Sequence, residues 1–362
     1  MRTLSLLCAF FLLCLLPGCN LVVMDPSGDV ASQQSDLIVY ATILMLIVII
    51  PVILLTLFFA FYYRASNTSA SYEPDWDHSI SLEIVIWSVP LAIIICLAGL
   101  TWVATHRLNP YGDLTRISAT QAVDPDVEPL TIQAVAMDWK WMFLYPEQGI
   151  ATVNEVAVIV DRPVEWHITS TTVMNAFYVP AMAGMIYGMP GMQTELNAVM
   201  NAPGTYDGFS ANYSGAGFSH MRFDLKAVDE AGFDAWVDGV RAGGEGILDR
   251  PMFLDVEQPS IDAPVRYFER VEEGLWDRIV NLCVGEDRLC QNDMMMVDAL
   301  GGGGLDGLWN RELFAGICAA DDPGVILALV KPNPRLRHDE TLAAAFRQAL
   351  LPEARDPREG AN

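Results

Sequence analysis

Between Cys96 and Cys283 the chain has no cysteine, and its 362 residues include only five histidines. Thiolate and imidazole are the side chains that hold most protein-bound zinc and copper. That long middle stretch is therefore poor in metal-ligating groups. Cations are scarce as well, with 21 Lys and Arg against 45 Asp and Glu and a formal charge of -24. Nucleic acid is excluded as a partner, because phosphate binding needs clustered positive charge. The acidic excess reads as a solvated surface, and it also suits attraction of a basic protein. No nucleophilic triad, paired acid-base motif or phosphate loop occurs. Gly301 to Gly304 is followed by no Gly-Lys-Ser/Thr and reads as a flexible turn. Apolar residues, by contrast, make up 52 % of the chain. Such a composition directs attention to membrane segments first.

Arg2 and the apolar run Leu4 to Leu16 have the pattern of an export signal, and the run is too short to span a bilayer. It ends Leu16-Pro17-Gly18-Cys19, which is similar to the lipobox of bacterial lipoproteins, with Pro17 standing where a small residue is usual. On this reading residues 1–18 are a signal peptide and Cys19 is the acylated, palmitate-bearing first residue of a periplasmic N-terminus, 19–36. Ordinary secretion with cleavage elsewhere is the alternative. Leu37 to Phe61 carries no charge and is closed by Tyr62, Tyr63 and Arg64 at headgroup level, giving a span over 37–63 with Pro51 as a kink site. A second span, 83–105, contains the apolar run Ile84 to Ala104 and ends before His106 and Arg107. An outside N-terminus makes 64–82 a cytoplasmic loop and places everything after Thr105 in the periplasm.

Residues 106–129 form a linker rich in Asp and Pro. Strand-like runs follow, Thr131 to Met137, Val153 to Val160 and Val164 to Thr169, separated by Pro and Gly punctuation. This texture predicts a β-sandwich over 130–227. From Val228 the pattern turns helical, with Phe233, Trp236 and Val240 on one face, and a mainly helical region is expected over 228–300. A flexible extension, 301–362, with a helix near Glu340 to Leu351, completes the chain. Cys283, Cys290 and Cys318 match no zinc spacing, and an oxidising compartment permits a Cys283–Cys290 disulfide.

The order of leader, helical hairpin and β-domain resembles subunit II of haem-copper oxidases. Glu83, Trp87, Ser88 and Pro90 reproduce the pattern that opens the second span in the quinol-oxidase version of that family. Trp139-Lys140-Trp141-Met142-Phe143 with Tyr145-Pro146-Glu147 is similar to its aromatic stretch, and Thr169-Ser170 through Val179-Pro180 resembles the loop of the first copper ligand in cytochrome c oxidases. The resemblance covers residues 19 to 283. It implies a cupredoxin-like sandwich in which the dinuclear copper ligands have been replaced. Asn175 and Phe218 stand at the two imidazole positions, Ser210 and Ser214 at the two thiolates, and Asn212 at the carbonyl donor; Met221 alone keeps its type.

Other metal readings are weaker. His220, two residues from Phe218, would point to the same side on a strand, but no second histidine or cysteine accompanies it. His167 falls between Trp166 and Ile168 in strand patterning. Met174, Met182, Met185, Met189 and Met192 offer soft thioethers, yet their irregular spacing suits adaptable packing. Trp139 and Trp141 read as core or interface rather than an electron relay. Glu83 carries two readings, a group in proton movement and an interface residue.

The resemblance thus implies a subunit of a proton-pumping quinol:oxygen oxidoreductase in the bacterial inner membrane. Its haems, copper and ubiquinone would lie in the large catalytic subunit. This chain, holding none of them, would be a structural partner of that subunit, of further small subunits and of membrane lipids, without cytochrome c as donor. Two other classes stand beside this reading: a cytochrome c oxidase subunit with an unrecognised copper site, and an envelope lipoprotein that serves as a scaffold without any oxidase.

Overall fold

A computed structural model describes residues 21–71, 75–285, 288, 290–292 and 294–295. The residues expected to be a signal peptide, Cys19, Gly301 to Gly304, Cys318 and the rest of 301–362 lie outside the described residues.

Helix α1 (Asp29–Tyr62) and helix α2 (Ile80–Arg107) are both long and apolar enough to cross a membrane. Their apolar side chains, from Ile38 to Tyr63 and from Ile80 to Val103, are largely exposed in the isolated chain, as a lipid-facing pair requires. Pro51 sits inside α1 and Pro90 inside α2. The helices outrun the expected spans of 37–63 and 83–105. In α1 the extra turns have a physical cause: Asp29, Val30, Ala31 and Ser35 are buried, so the helix starts against the β-domain. Ser27 and Gly28 both donate their N–H to Ala181 O, and Ala31 N–H donates to Met182 O. Gly28 is required there, since a Cβ would lie 2.5 Å from Val199 O. Arg116 Nε donates to Asp29 Oδ2 at 2.8 Å and closes the join.

The stretch expected to be a bare linker holds a small hairpin, β1 (Arg116–Ser118) with β2 (Gln121–Ala122). Beyond it, ten strands build the sandwich: β3 (Leu130–Met137), β4 (Lys140–Tyr145), β5 (Ile150–Val153), β6 (Glu155–Ile159), β7 (Val164–Ser170), β8 (Asn175–Tyr178), β9 (Ile186–Gly188), β10 (Thr194–Ala198), β11 (Gly204–Ser210) and β12 (Arg222–Val228). One sheet runs β10-β7-β3-β4-β5 and the other β6-β12-β11-β8-β9. Most pairs are antiparallel, while β3 with β7 and β12 with β6 are parallel. The run Val153 to Val160, expected as one strand, is broken at Asn154, whose φ of 58° bends the chain from one sheet into the other. Asn154 accepts Trp141 N–H on its side-chain oxygen and donates to Ala263 O, so the bend is pinned from both sides.

Between the sheets lies an aromatic core. Trp141, Phe143, Trp166 and Phe177 are fully buried, and Phe223 stacks on Phe177 with ring centres 5.4 Å apart. Gly208 leaves room for that ring, because a Cβ there would meet Phe223 at 2.1 Å.

The region after residue 228 is helical in α3 (Glu230–Ala242), α4 (Arg250–Glu257) and α5 (Leu275–Val280). It also contributes strands that periodicity did not reveal. β13 (Ile247–Leu248) pairs with β15 (Arg270–Val271), and β14 (Arg266–Phe268) adds to β5 as the sixth strand of the first sheet. Three-residue strands carry too little alternation to register as a pattern. The structure joins Cys283 to Cys290 by a disulfide just after α5.

Helix α3 is fastened through one buried carboxylate. Phe233, Val237 and Val240 enter the core, while Trp236 Nε1 donates to Glu155 Oε1 at 2.8 Å. Tyr267 Oη donates to the same oxygen at 2.9 Å, and Lys226 Nζ pairs with Glu155 Oε2 at 2.9 Å. Burial pushes the Glu155 carboxyl up, but the three donors outweigh it and hold it below the ordinary carboxylate value. The carboxylate in turn helps burial push the Tyr267 phenol up to about 12. A carboxyl lowered in the folded state stabilises above the unfolded-state value, and that stabilisation fades as pH falls through the lower folded value. The stability advantage of the native chain over Glu155→Gln is therefore expected to be present at neutral pH and to shrink below pH 4.5. Urea denaturation of the detergent-solubilised protein across that range measures it; an advantage independent of pH would refute the role of the charge.

Candidate functional site

The positions that the resemblance assigns to a copper centre come together at one end of the second sheet. Asn175 begins β8 and Ser210 ends β11, on neighbouring strands whose register pairs Phe209 with Tyr178 and Ser210 with Phe177. Their side chains meet: Ser210 Oγ donates to Asn175 Oδ1 at 3.1 Å, and Asn175 Nδ2 donates to Val173 O at 3.0 Å. Both residues are buried.

Beyond β11 the loop turns over this pair. Asn212 Nδ2 donates to Met174 O at 3.0 Å and ties the loop to the β7–β8 connection. Ser214 Oγ lies 4.0 Å from Met221 Sδ, and Met221 is buried where β12 begins. Ser210 Oγ also lies 3.4 Å from Asn212 O, and Ser210 N–H donates to Met221 O, so five of the six positions, Asn175, Ser210, Asn212, Ser214 and Met221, are linked by hydrogen bonds. Phe218 packs instead on exposed Tyr213, with ring centres 5.6 Å apart.

The loop's path depends on Trp139. This residue lies in the turn between β3 and β4 with a φ of 69°, not within a strand as its sequence neighbours suggest. Its indole Nε1 donates to Ser214 O at 3.0 Å, and its ring covers the loop glycines. A Cβ on Gly217 would fall 2.5 Å from that ring, and Gly215 has a φ of 117°. Trp141, two residues on, belongs to the sandwich core against Phe177 and Phe223. Sequence reading grouped the two tryptophans; the positive φ at position 139 separates them.

The donor set does not suit a dinuclear copper centre. Hydroxyls, carboxamides and a phenyl ring supply neither the soft thiolates nor the imidazoles that such a centre requires, and one thioether is insufficient. No cluster of three His, Cys, Asp or Glu occurs among the described residues. The alternative ligands fare no better. His220 closes a single 3-10 turn, Phe218–His220, rather than a strand, so it does not share a side with Phe218; its ring is half exposed and 3.9 Å from Asp262. His167 Nε2 sits 2.9 Å from Glu165. Met182 is fully buried, whereas Met174, Met185 and Met192 are exposed, so the thioethers do not converge. Glu83 lies in the first turn of α2 with His78 Nδ1 2.7 Å from its Oε1.

The profile of the cytochrome c oxidase subunit II periplasmic domain fits residues 147–228, and that of the COX aromatic rich motif fits residues 243–287. The cytochrome bo(3) ubiquinol oxidase subunit 2 of Pseudomonas aeruginosa is 48 % identical over 266 residues, covering 74 % of this chain and 77 % of that protein. The ubiquinol oxidase subunit 2 of Acetobacter aceti is also 48 % identical over 266 residues, covering 74 % and 84 %. Among solved structures, the periplasmic domain of subunit II of the Bradyrhizobium japonicum cytochrome oxidase is 24 % identical, covers 32 % of this chain and 96 % of that one, and has a TM-score of 0.30.

Removing the Ser210 hydroxyl leaves the buried Asn175 carboxamide oxygen without its donor. A buried acceptor stripped of its partner costs about 1–3 kcal/mol. Ser210→Ala is expected to destabilise the β-domain by that order in urea denaturation, without altering the copper content of the purified protein.

Proposed function

The chain belongs to the ubiquinol oxidase subunit 2 family, and from this we propose that it is the copper-free second subunit of a proton-pumping quinol:oxygen oxidoreductase. One observation carries the copper-free part of the reading: Ser210 and Asn175 satisfy each other in a buried hydrogen bond where a thiolate and an imidazole would otherwise reach a metal. Without that centre the route from cytochrome c is missing. Electrons enter instead from ubiquinol in the large catalytic subunit, which holds the haems and copper; this chain contributes none.

Its part is structural. The hairpin of α1 and α2 packs in the inner membrane beside the large subunit and further small subunits, and the sandwich stands in the periplasm above them. Helices of this length and apolarity support a double crossing. Residues 1–18 act as signal peptide and Cys19 as acylated anchor. This fits a chain that folds back beside the start of α1, where Ser35 Oγ donates to Met24 Sδ and Leu21 and Val22 are exposed. An oxidising periplasm sustains the Cys283–Cys290 bond. Glu83, at the cytoplasmic end of α2, serves either proton uptake or subunit contact.

The membrane-extracted complex is expected to consume oxygen with ubiquinol and to ignore reduced cytochrome c, and metal analysis of this subunit to find no stoichiometric copper pair. Near-infrared absorption from a mixed-valence copper pair in this chain would overturn the assignment. So would migration of the chain in native gels without a haem-bearing partner.

A further inference from the structure

Two recesses lie one below the other along the hairpin. The upper, of about 660 Å³, opens between the periplasmic ends of the helices and the β-domain, with Gln33, Gln34, His106, Arg107, Asp113 and Arg116 in its wall. The lower, of about 610 Å³, is an apolar cleft between α1 and α2 that Tyr40, Leu44, Cys96, Gly99 and Val103 line. From Gln33 to Tyr40 the α1 axis rises about 10 Å, and from Val103 to Arg107 that of α2 rises about 6 Å. The polar recess thus meets the apolar one across about two helical turns of α1 and about one of α2, at the level where headgroups give way to acyl chains.

The charges of the upper recess select its ligand. Arg116 is neutralised by Asp29 at 2.8 Å. Arg107 and Asp113 enter no ion pair among the described residues, so one guanidinium and one carboxylate remain for a guest. A guest with one negative and one positive group neutralises both, whereas an uncharged quinol head can hydrogen-bond to either but leaves both charges uncompensated. The guanidinium presents paired donors to a phosphate. A carboxylate suits a primary ammonium, which brings N–H donors; a quaternary ammonium brings none and is recognised by aromatic cages. No Phe, Tyr or Trp lines the upper recess.

We propose that the two recesses together hold one phospholipid with a phosphoethanolamine-type headgroup, its phosphate on Arg107, its ammonium on Asp113 and an acyl chain along the cleft beside Gly99. The site rests on the reading that α1 and α2 cross the membrane. It would mortar the hairpin to the β-domain on the side where protein contacts leave a gap.

The test uses the detergent-extracted complex, washed extensively, with retained phospholipid counted by mass spectrometry per copy of this chain. The native complex is expected to keep one phosphatidylethanolamine through washing. Arg107→Gln and Asp113→Asn are each expected to weaken its retention roughly tenfold, the loss of one charge-assisted contact. Gly99→Leu attacks the other end: Gly99 lies in the cleft wall and a Cβ there meets nothing within 4 Å, so a larger side chain starts into open space and narrows the cleft. It should lower retention while leaving the headgroup residues in place. Re-addition of phosphatidylethanolamine, but not phosphatidylglycerol, phosphatidylcholine or inorganic phosphate, should restore occupancy of the washed native complex. Unchanged retention in Arg107→Gln and Gly99→Leu together, or quinone as the retained molecule, would overturn the proposal. Because lipid is counted per copy of this chain, absence of haem from the preparation would sink the oxidase reading and leave the lipid count legible.

Discussion

The Asp29–Arg116 pair, with the backbone bonds from Ser27, Gly28 and Ala31 to the Ala181–Met182 turn, fixes where the β-domain stands relative to the hairpin. A partly buried ion pair is a poor source of net stability, because desolvation consumes much of the attraction. Its value here is directional. It turns the first two turns of α1 into part of the domain, so the helix leaves the sandwich at a set angle. The crowding of Gly28 against Val199 O and Met182 O enforces the same geometry from the other side. The upper recess, the approach of the β-domain to the bilayer and the pose offered to a large subunit all depend on that join.

On the proposed reading, the loop between β11 and β12 keeps a metal-binding framework with polar residues in place of ligands. A buried thiolate or imidazole without its metal would leave an unsatisfied polar group, and such groups are costly. Ser210 with Asn175, Asn212 with Met174 O and Trp139 with Ser214 O close the loop with ordinary hydrogen bonds. The strands keep their register, and the loop keeps its shape without a metal-ligand bond. Met221 turns inward under Ser214 as a packing residue, a role that the adaptable thioether suits.

Legibility in the sequence followed the length of each signal. The two long apolar helices were readable because long uncharged runs have few competing explanations, whereas the turns that α1 adds before residue 37 carried no such signal, since Asp29 finds its partner Arg116 far along the chain. The proposed ligand positions rest on family resemblance alone, since Asn, Ser and Phe signal nothing by themselves. Trp139 was hidden because a left-handed backbone at a tryptophan has no sequence mark. Glu155 was hidden for a related reason: its partners Lys226, Trp236 and Tyr267 are distant in the chain, and only the fold gathers them. His220 was misplaced because two glycines and Trp139 curl its segment into a 3-10 turn where alternation suggested a strand.

The strand Arg266–Phe268 occupies the open flank of β5 and comes from the far end of the described chain. Until those residues are present, β5 offers bare N–H and C=O groups to any extended peptide nearby. In a chain delivered N-terminus first, the sealing piece arrives last, after both helices and most of the sandwich. Pairing over so long a separation is slow. The edge of β5 is therefore the surface on which another extended chain competes until residues 266–268 pair with it.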